Sequence, residues 1–204
     1  MKLYGDFLSP FVRMCFVTAH EVGLGDKVEH MKEMVSPTKV NPALARLSPI
    51  GKVPVLETDH GRAIYDSRVI IEYLCHVAGN STIIPDDGVK RFRVLTMQAL
   101  CQGLGDAAVG LRYEVGARPQ GLQWADWIDR VKARMGATFD DLEGHWEPEK
   151  MSVNAGSIAA AVVLSYIDLR HPDLKWRDGR PKLTQFHERF SSRDSMKRTV
   201  ITST

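Results

Sequence analysis

The chain has 204 residues, 44% hydrophobic and 25% charged, the composition of a folded globular protein and not of a disordered or fibrous one. Lys and Arg number 27 against 25 Asp and Glu, and this formal charge of +2 argues against a dedicated nucleic-acid binder, which carries a clear excess of base. The cysteines Cys15, Cys75 and Cys101 are odd in number and widely spaced with no C-x-x-C pair, so neither a disulfide framework nor a zinc site is expected, and a reducing, cytoplasmic location is. No apolar run approaches the roughly 20 residues of a membrane span, and Gly5 and Asp6 interrupt any signal-peptide core.

Lys2 to Gly5 is a strand candidate. Ser9-Pro10 starts a helix, because serine can cap and proline suits a first turn where its missing N–H has no partner. Phe11, Cys15, Val17 and Val22 recur at helical spacing until Gly23. Val28 to Met34 alternates like a strand, and Asn41 to Leu47 forms a short helix ended by Ser48-Pro49. Val53 to Glu57 and Ala63 to Tyr65 flank a turn at Asp59-His60-Gly61, a hairpin signal. Ser67 then opens a helix through Ile70, Ile71, Tyr73, Leu74 and Val77 to Gly79. This order of elements predicts a small mixed sheet with helices packed on it.

After a polar linker at residues 81–88 no strand is expected. Val89 to Tyr113, Leu122 to Trp146, Ala155 to Arg170 and Lys182 to Ser191 carry helical apolar spacing, punctuated by Pro119, Pro148, Pro172 and Pro181. The basic cluster Arg189, Arg193, Lys197 and Arg198 reads as a solvated tail. The histidines are scattered and lack metal spacing.

Three short features in the first part carry chemistry. Ser9 sits where the free N–H groups of a helix start favour an anion, and its hydroxyl can donate to a thiolate; it can equally serve only as the cap. In Gly51-Lys52-Val53-Pro54-Val55-Leu56, proline at a strand entrance marks a sheet edge or a bend. A cis Val53–Pro54 bond would turn the Val53 backbone toward an extended peptide, while trans is the ordinary state. In Asp66-Ser67, Ser67 is the expected cap, with backbone amides able to hold a carboxylate, and Asp66 is placed to receive an ammonium group.

In this order on this frame, SPFVR, GKVPVL and the Asp-Ser pair resemble the cytosolic glutathione S-transferase family, most of all small bacterial members of the YibF-like subgroup, over essentially the whole chain. The resemblance implies an α/β thioredoxin-like N-terminal domain at residues 1–80 and an all-α helical domain at 89–204. It implies glutathione as co-substrate with no metal, a homodimer, and neither nucleic acid nor membrane as partner. Lys52, Val53, Pro54, Asp66 and Ser67 would bind glutathione, and Ser9 would stabilise its thiolate. Leu8, Phe11, Val12, Val109, Arg112 and Tyr113 are the candidate walls for a small hydrophobic electrophile. The implied activity is glutathione transfer in detoxification, with peroxide reduction beside it; the alternative is a binding or regulatory protein of the same fold. A disulfide-exchange reductase is disfavoured, because Ser9 stands where that chemistry needs a cysteine. One departure concerns Asn154-Ala155-Gly156-Ser157, where the family usually has a carboxylate at the fourth position; Ser157 is expected not to reach back as that carboxylate does.

Overall fold

In the computed structural model, which describes residues 1–147 and 150–201, four short strands form one sheet in the order β2-β1-β3-β4. They are β1 (Lys2–Tyr4), β2 (Glu29–Met31), β3 (Val55–Glu57) and β4 (Ala63–Ile64). β1 runs parallel to β2, with Leu3 opposite His30, and antiparallel to β3, with Leu3 opposite Leu56; β3 and β4 form the expected antiparallel hairpin. Helices α1 (Pro10–Glu21), α2 (Pro42–Leu47) and α3 (Ser67–Ala78) complete the thioredoxin-like part. The helical part holds α4 (Gly88–Gly116), α5 (Ala125–Gly144), α6 (Ala155–Arg170), α7 (Pro181–Ser191) and α8 (Asp194–Lys197). Pro148, expected to separate two of these helices, lies outside the described residues, as does the chain beyond Ile201.

β1 alternates, with Leu3 fully buried and Lys2 exposed, whereas the consecutive Val55 and Leu56 of central β3 are both fully buried, because that strand packs against both α2 and α3. α1 is buried on nearly every face because it lies between the sheet and the helical part, with Val12, Met14, Cys15 and Val17 at 0% exposure. α6 is apolar all round, as a central helix must be, and packs chiefly on α4 and α1. Two close approaches set that crossing. Gly156 lies against Met97, and a Cβ at Gly105 would come 3.3 Å from Phe11 Cε1 and 3.2 Å from Val163 Cγ2.

Four sequence expectations are corrected. β3 starts at Val55 and not at Val53, and because it is a central strand the bend, of the two readings of Pro54, is the one that holds. The cap of α3 is Asp66, whose carboxylate accepts the Arg68 N–H at 3.0 Å, while Ser67 is the first helical residue and buried. Ser157 does reach back: its hydroxyl accepts the Asn154 N–H at 2.9 Å while Asn154 Oδ1 accepts the Ser157 N–H at 3.0 Å, a closed capping box. The basic cluster near the C-terminus is docked, not a free tail. Arg193 makes a bidentate pair with Glu21 of α1, both contacts 2.8 Å, and α8 buries Met196. The buried Arg13 guanidinium of α1 meets that segment, donating to the Met196 carbonyl and the Thr199 hydroxyl, both at 3.3 Å. Burial pulls its pKa down to about 10, so it stays charged at neutral pH.

The α6–α7 packing holds a pH-sensitive group. His187 is buried, and its Nδ1 faces Arg177 Nη2 at 3.2 Å while Nε2 faces Ser165 Oγ at 2.9 Å. Arginine can only donate, so Nδ1 must be an unprotonated acceptor and the ring neutral. Burial, with the nearby Arg177 and Arg13 charges and against the pull of Asp168, lowers the His187 pKa to about 4. An unfolded chain takes up that proton near the ordinary value of about 6.5, so the contribution of His187 to stability is complete above that pH and lost as pH falls toward 4. The melting temperature is therefore expected to fall between about pH 7.5 and 5. His187→Gln should show a shallower fall in thermal scans; an equal slope would remove His187 from the account.

Candidate functional site

The loop that presents Ser9 is fixed from several sides. Gly5 N–H donates to the Met31 carbonyl at 2.9 Å, Leu8 N–H to Asp6 Oδ1 at 2.8 Å and Ser9 N–H to the Asp6 carbonyl at 2.9 Å. Gly5 has φ +137°, and a Cβ there would collide with Val12, so no other residue fits. His30 of β2 stacks on Phe7, with ring centroids 4.4 Å apart, and donates its Nε2–H to the Gly5 carbonyl at 2.6 Å. Ser9 Oγ accepts the Val12 N–H at 3.4 Å and caps α1. A serine hydroxyl has two lone pairs and one proton, so capping uses an acceptor site and leaves the O–H free to donate outward. The two readings of Ser9 are compatible.

The Val53–Pro54 bond is cis, with Val53 half-buried and Pro54 buried. The hydroxyl of Ser67 accepts from Gln102 Nε2 at 3.1 Å, and its carbonyl lies 3.8 Å from Cys15 Sγ. Asp66 is exposed and pairs with Arg68 at 3.1 Å. Burial works to raise its carboxyl pKa, but hydrogen bonds from the Arg68 side chain and backbone outweigh this and hold it below the usual range. Asp106 of α4 faces the same charges: burial and the Asp66 charge raise its carboxyl against the pull of Lys52 and Arg68. Lys52, Asp66, Arg68 and Asp106 thus form a rim of two cations and two carboxylates around the start of α3. Such a rim suits a ligand that itself carries ammonium and carboxylate groups.

Sequence reasoning missed Arg68, Gln102 and Asp106. A signal was present, since Gln98, Gln102 and Asp106 recur at four-residue intervals on one face of α4. Buried Gln98 and Gln102 mark that face as turned inward.

Of the candidate walls, Leu8 is half-buried beside Ser9, and Phe11 packs against Gly105 of α4. Val109 is partly buried, while Arg112 and Tyr113 are exposed on α4. Val12 is fully buried against Gly5, so its side chain belongs to the core and presents no open wall. Tyr166 of α6, absent from the sequence reading, is buried, and that burial pushes its phenol up to about 12. Hollows of about 300 Å³, lined in part by Arg93 and Trp146, and about 480 Å³, lined in part by His60 and Tyr73, lie away from Ser9. Among the described residues no cluster of His, Cys, Asp or Glu could hold a metal ion, and no helix is long and apolar enough to cross a membrane.

The glutathione S-transferase N-terminal domain model matches residues 8–77, and the glutathione S-transferase C-terminal domain model matches residues 125–189. The chain is 33% identical over 203 residues to the uncharacterized GST-like protein YibF of Escherichia coli K12, with 98% of each chain covered. Among solved structures it is similar to a glutathione transferase family member from Pseudomonas fluorescens Pf-5 with bound glutathione, at TM-score 0.96, 35% identity and 99% of each chain. A structure from the same organism with bound S-(propanoic acid)-glutathione has TM-score 0.88, 34% identity and 98% of each chain.

A nucleophilic sulfur belonging to the chain itself is excluded by burial. Cys15, Cys75 and Cys101 are at most 3% exposed. Desolvation pushes the Cys15 thiol well above its ordinary value, helped by the Asp66 charge, and raises Cys75 to about 11 and Cys101 to about 12. A disulfide reagent near pH 7.5 should titrate none of these thiols rapidly in the native protein and all three after denaturation. A fast-reacting native thiol would contradict this placement.

Proposed function

The chain belongs to the glutathione S-transferase family, and on that premise we propose that it binds glutathione along the Ser9, Val53–Pro54 and Asp66–Ser67 rim and delivers the thiolate to a small electrophile, with peroxide reduction as a side activity. The observation that carries this reading is Ser9: a hydroxyl at the first turn of α1 whose proton is not used by its own cap.

In this reading the cysteinyl backbone of glutathione pairs with Val53 beside Pro54. Its γ-glutamyl carboxylate meets the Ser67 hydroxyl and the amides at the start of α3, and its ammonium group meets Asp66, with Asp106 close by. Lys52 answers the glycyl carboxylate. The sulfur then lies at the N-terminal end of α1. A free thiol has a pKa of about 8.5, so only a few per cent is ionised near pH 7. Lowering that pKa by ~1.5 units takes ~2 kcal/mol of preferential stabilisation of the anion. One hydrogen bond from Ser9 to a charged sulfur contributes roughly 1.5–3 kcal/mol and the helix end ~0.3–1 more, so the two together suffice without a metal. The electrophile sits against Leu8, Phe11 and Val109. The glutathione bound in the P. fluorescens relative, and the S-substituted glutathione in the second structure from that organism, support the assignment.

A homodimer is part of the proposal. Val69 and Val77 of α3 and Phe92 of α4 leave large apolar side chains in solvent, Phe92 at 68% exposure, and the Arg91–Glu72 pair ties the two helices together. A second copy would cover this face.

Ser9→Ala should reduce turnover roughly 10- to 100-fold, matching the lost bond to the anion, while the glutathione Kd moves less than about threefold. Ser67→Ala should weaken glutathione binding more than Ser9→Ala does, as measured by calorimetry. Equal loss of turnover and affinity in Ser9→Ala, or loss of neither, would remove the hydroxyl from the thiolate.

A further inference from the structure

The hollow of about 300 Å³ at the start of α4 is remote from the glutathione rim, since Arg93 on its lining and Asp106 are about 20 Å apart in helix rise. It is enclosed by the linker, the first turns of α4, and the residues between α5 and α6. Lys90, Arg93, Val94 and Met97 line it at spacings of three, one and three, so they form one stripe of α4. Phe92, on the proposed dimer face, falls on the far side of the helix from this stripe. The walls are fixed. Trp146 is buried, its indole N–H donates to Asp141 at 2.9 Å, and the Arg93 guanidinium lies 5.3 Å from its ring centroid. Met97 is packed on Gly156 at the start of α6, and the Ala155 N–H donates to the Ile83 carbonyl of the linker at 2.9 Å.

The lining divides into two kinds of surface. Val94, Met97, Trp146 and Met151 are apolar, while Lys90, Arg93 and Lys150 carry positive charge. Glu147, the acid on the lining among the described residues, is taken by Lys150 at 2.6 Å. Asp87 spends its carboxylate as the cap of α4, accepting the Lys90 N–H at 3.0 Å. Among the described residues Lys90 and Arg93 are left without an ion-pair partner, and as neighbours three apart on a helix they stand side by side. Two adjacent cations without counter-charge, beside an apolar wall, match a doubly charged anion carried on a flat apolar body. A volume of about 300 Å³ stands at the lower end of small-molecule pockets, enough for one ring and one headgroup.

We propose that this hollow is a second, noncatalytic ligand site for an aryl phosphate monoester, its phosphate held by Lys90 and Arg93 and its ring laid against Val94, Met97 and Met151. A phosphate monoester carries close to two negative charges above its second pKa of about 6, so it answers both cations. Arginine forks onto two of its oxygens and lysine adds a point charge. A carboxylate of similar size brings a single charge and leaves one cation unmatched. The site stands independently of the glutathione reading.

The test is calorimetry at pH 7.5 with phenyl phosphate, benzoate and inorganic phosphate, each titrated with and without glutathione. The wild-type protein should bind one phenyl phosphate per chain, about tenfold more tightly than benzoate or inorganic phosphate, whether or not glutathione is present. Lys90→Gln and Arg93→Gln should each weaken phenyl phosphate about fivefold or more, and Met151→Ser should narrow its advantage over inorganic phosphate. Arg46→Gln, which removes a charge from α2 instead, should leave the Kd within about twofold. Lys90 is exposed, so its variant keeps the test decisive even where Arg93→Gln lowers the melting temperature by releasing Trp146. Absence of saturable binding, equal affinity for the three anions, an equal loss in Arg46→Gln and Lys90→Gln, or displacement of phenyl phosphate by glutathione would overturn the proposal.

Discussion

A serine hydroxyl at the first turn of a helix can satisfy the backbone and still face a ligand, because the two duties use different parts of the same oxygen. The lone pair of Ser9 receives the Val12 N–H, and its proton remains available to a ligand beyond the helix end. That division is useful only if the helix end cannot drift. Gly5 packed against Val12, the His30 bond to the Gly5 carbonyl, and the Asp6 contacts to Leu8 and Ser9 hold it in place. On the proposed reading, the stabilisation of a thiolate by ~2 kcal/mol depends on this short loop keeping one O–H in register.

The rest of the molecule supports α1. α3 covers one side, α6 and α4 another, and α8 closes over it through Arg13 and the Glu21–Arg193 pair. The buried cation of Arg13 has a carbonyl and a hydroxyl as partners, so it ties the C-terminal segment to the helix that carries Ser9. The same burial disqualifies the chain's own cysteines as nucleophiles, which on the proposed reading leaves that role to a bound thiol.

Much of this architecture was legible from the residues. The helix from Ser9-Pro10, the hairpin around Asp59-His60-Gly61 and the long helices after the linker follow from capping, turn and periodicity rules acting locally. Local rules do not say which oxygen wins when two capping residues stand side by side, and Asp66, with the stronger acceptor, took the role expected of Ser67. They also assign surface to any charged segment, so the docking of Arg193 on Glu21, 172 residues away, was invisible. The reach of Ser157 depends on where its backbone sits: buried beside its own cap, a hydroxyl suffices to close the box. The candidate site was half legible for the same reason. Ser9, Val53–Pro54 and Asp66–Ser67 lie in recognisable strings, whereas Gln102 and Asp106 approach the start of α3 only through the packing of α4.

The central claim is that the site lowers the pKa of a bound sulfur. The direct measurement is a pH titration of the ultraviolet thiolate band of glutathione bound to the wild-type protein and to Ser9→Ala. The account predicts an apparent pKa of about 7 in the wild-type complex, returning toward about 8.5 in the variant. A bound thiol that titrates like free glutathione in the wild-type protein would contradict it.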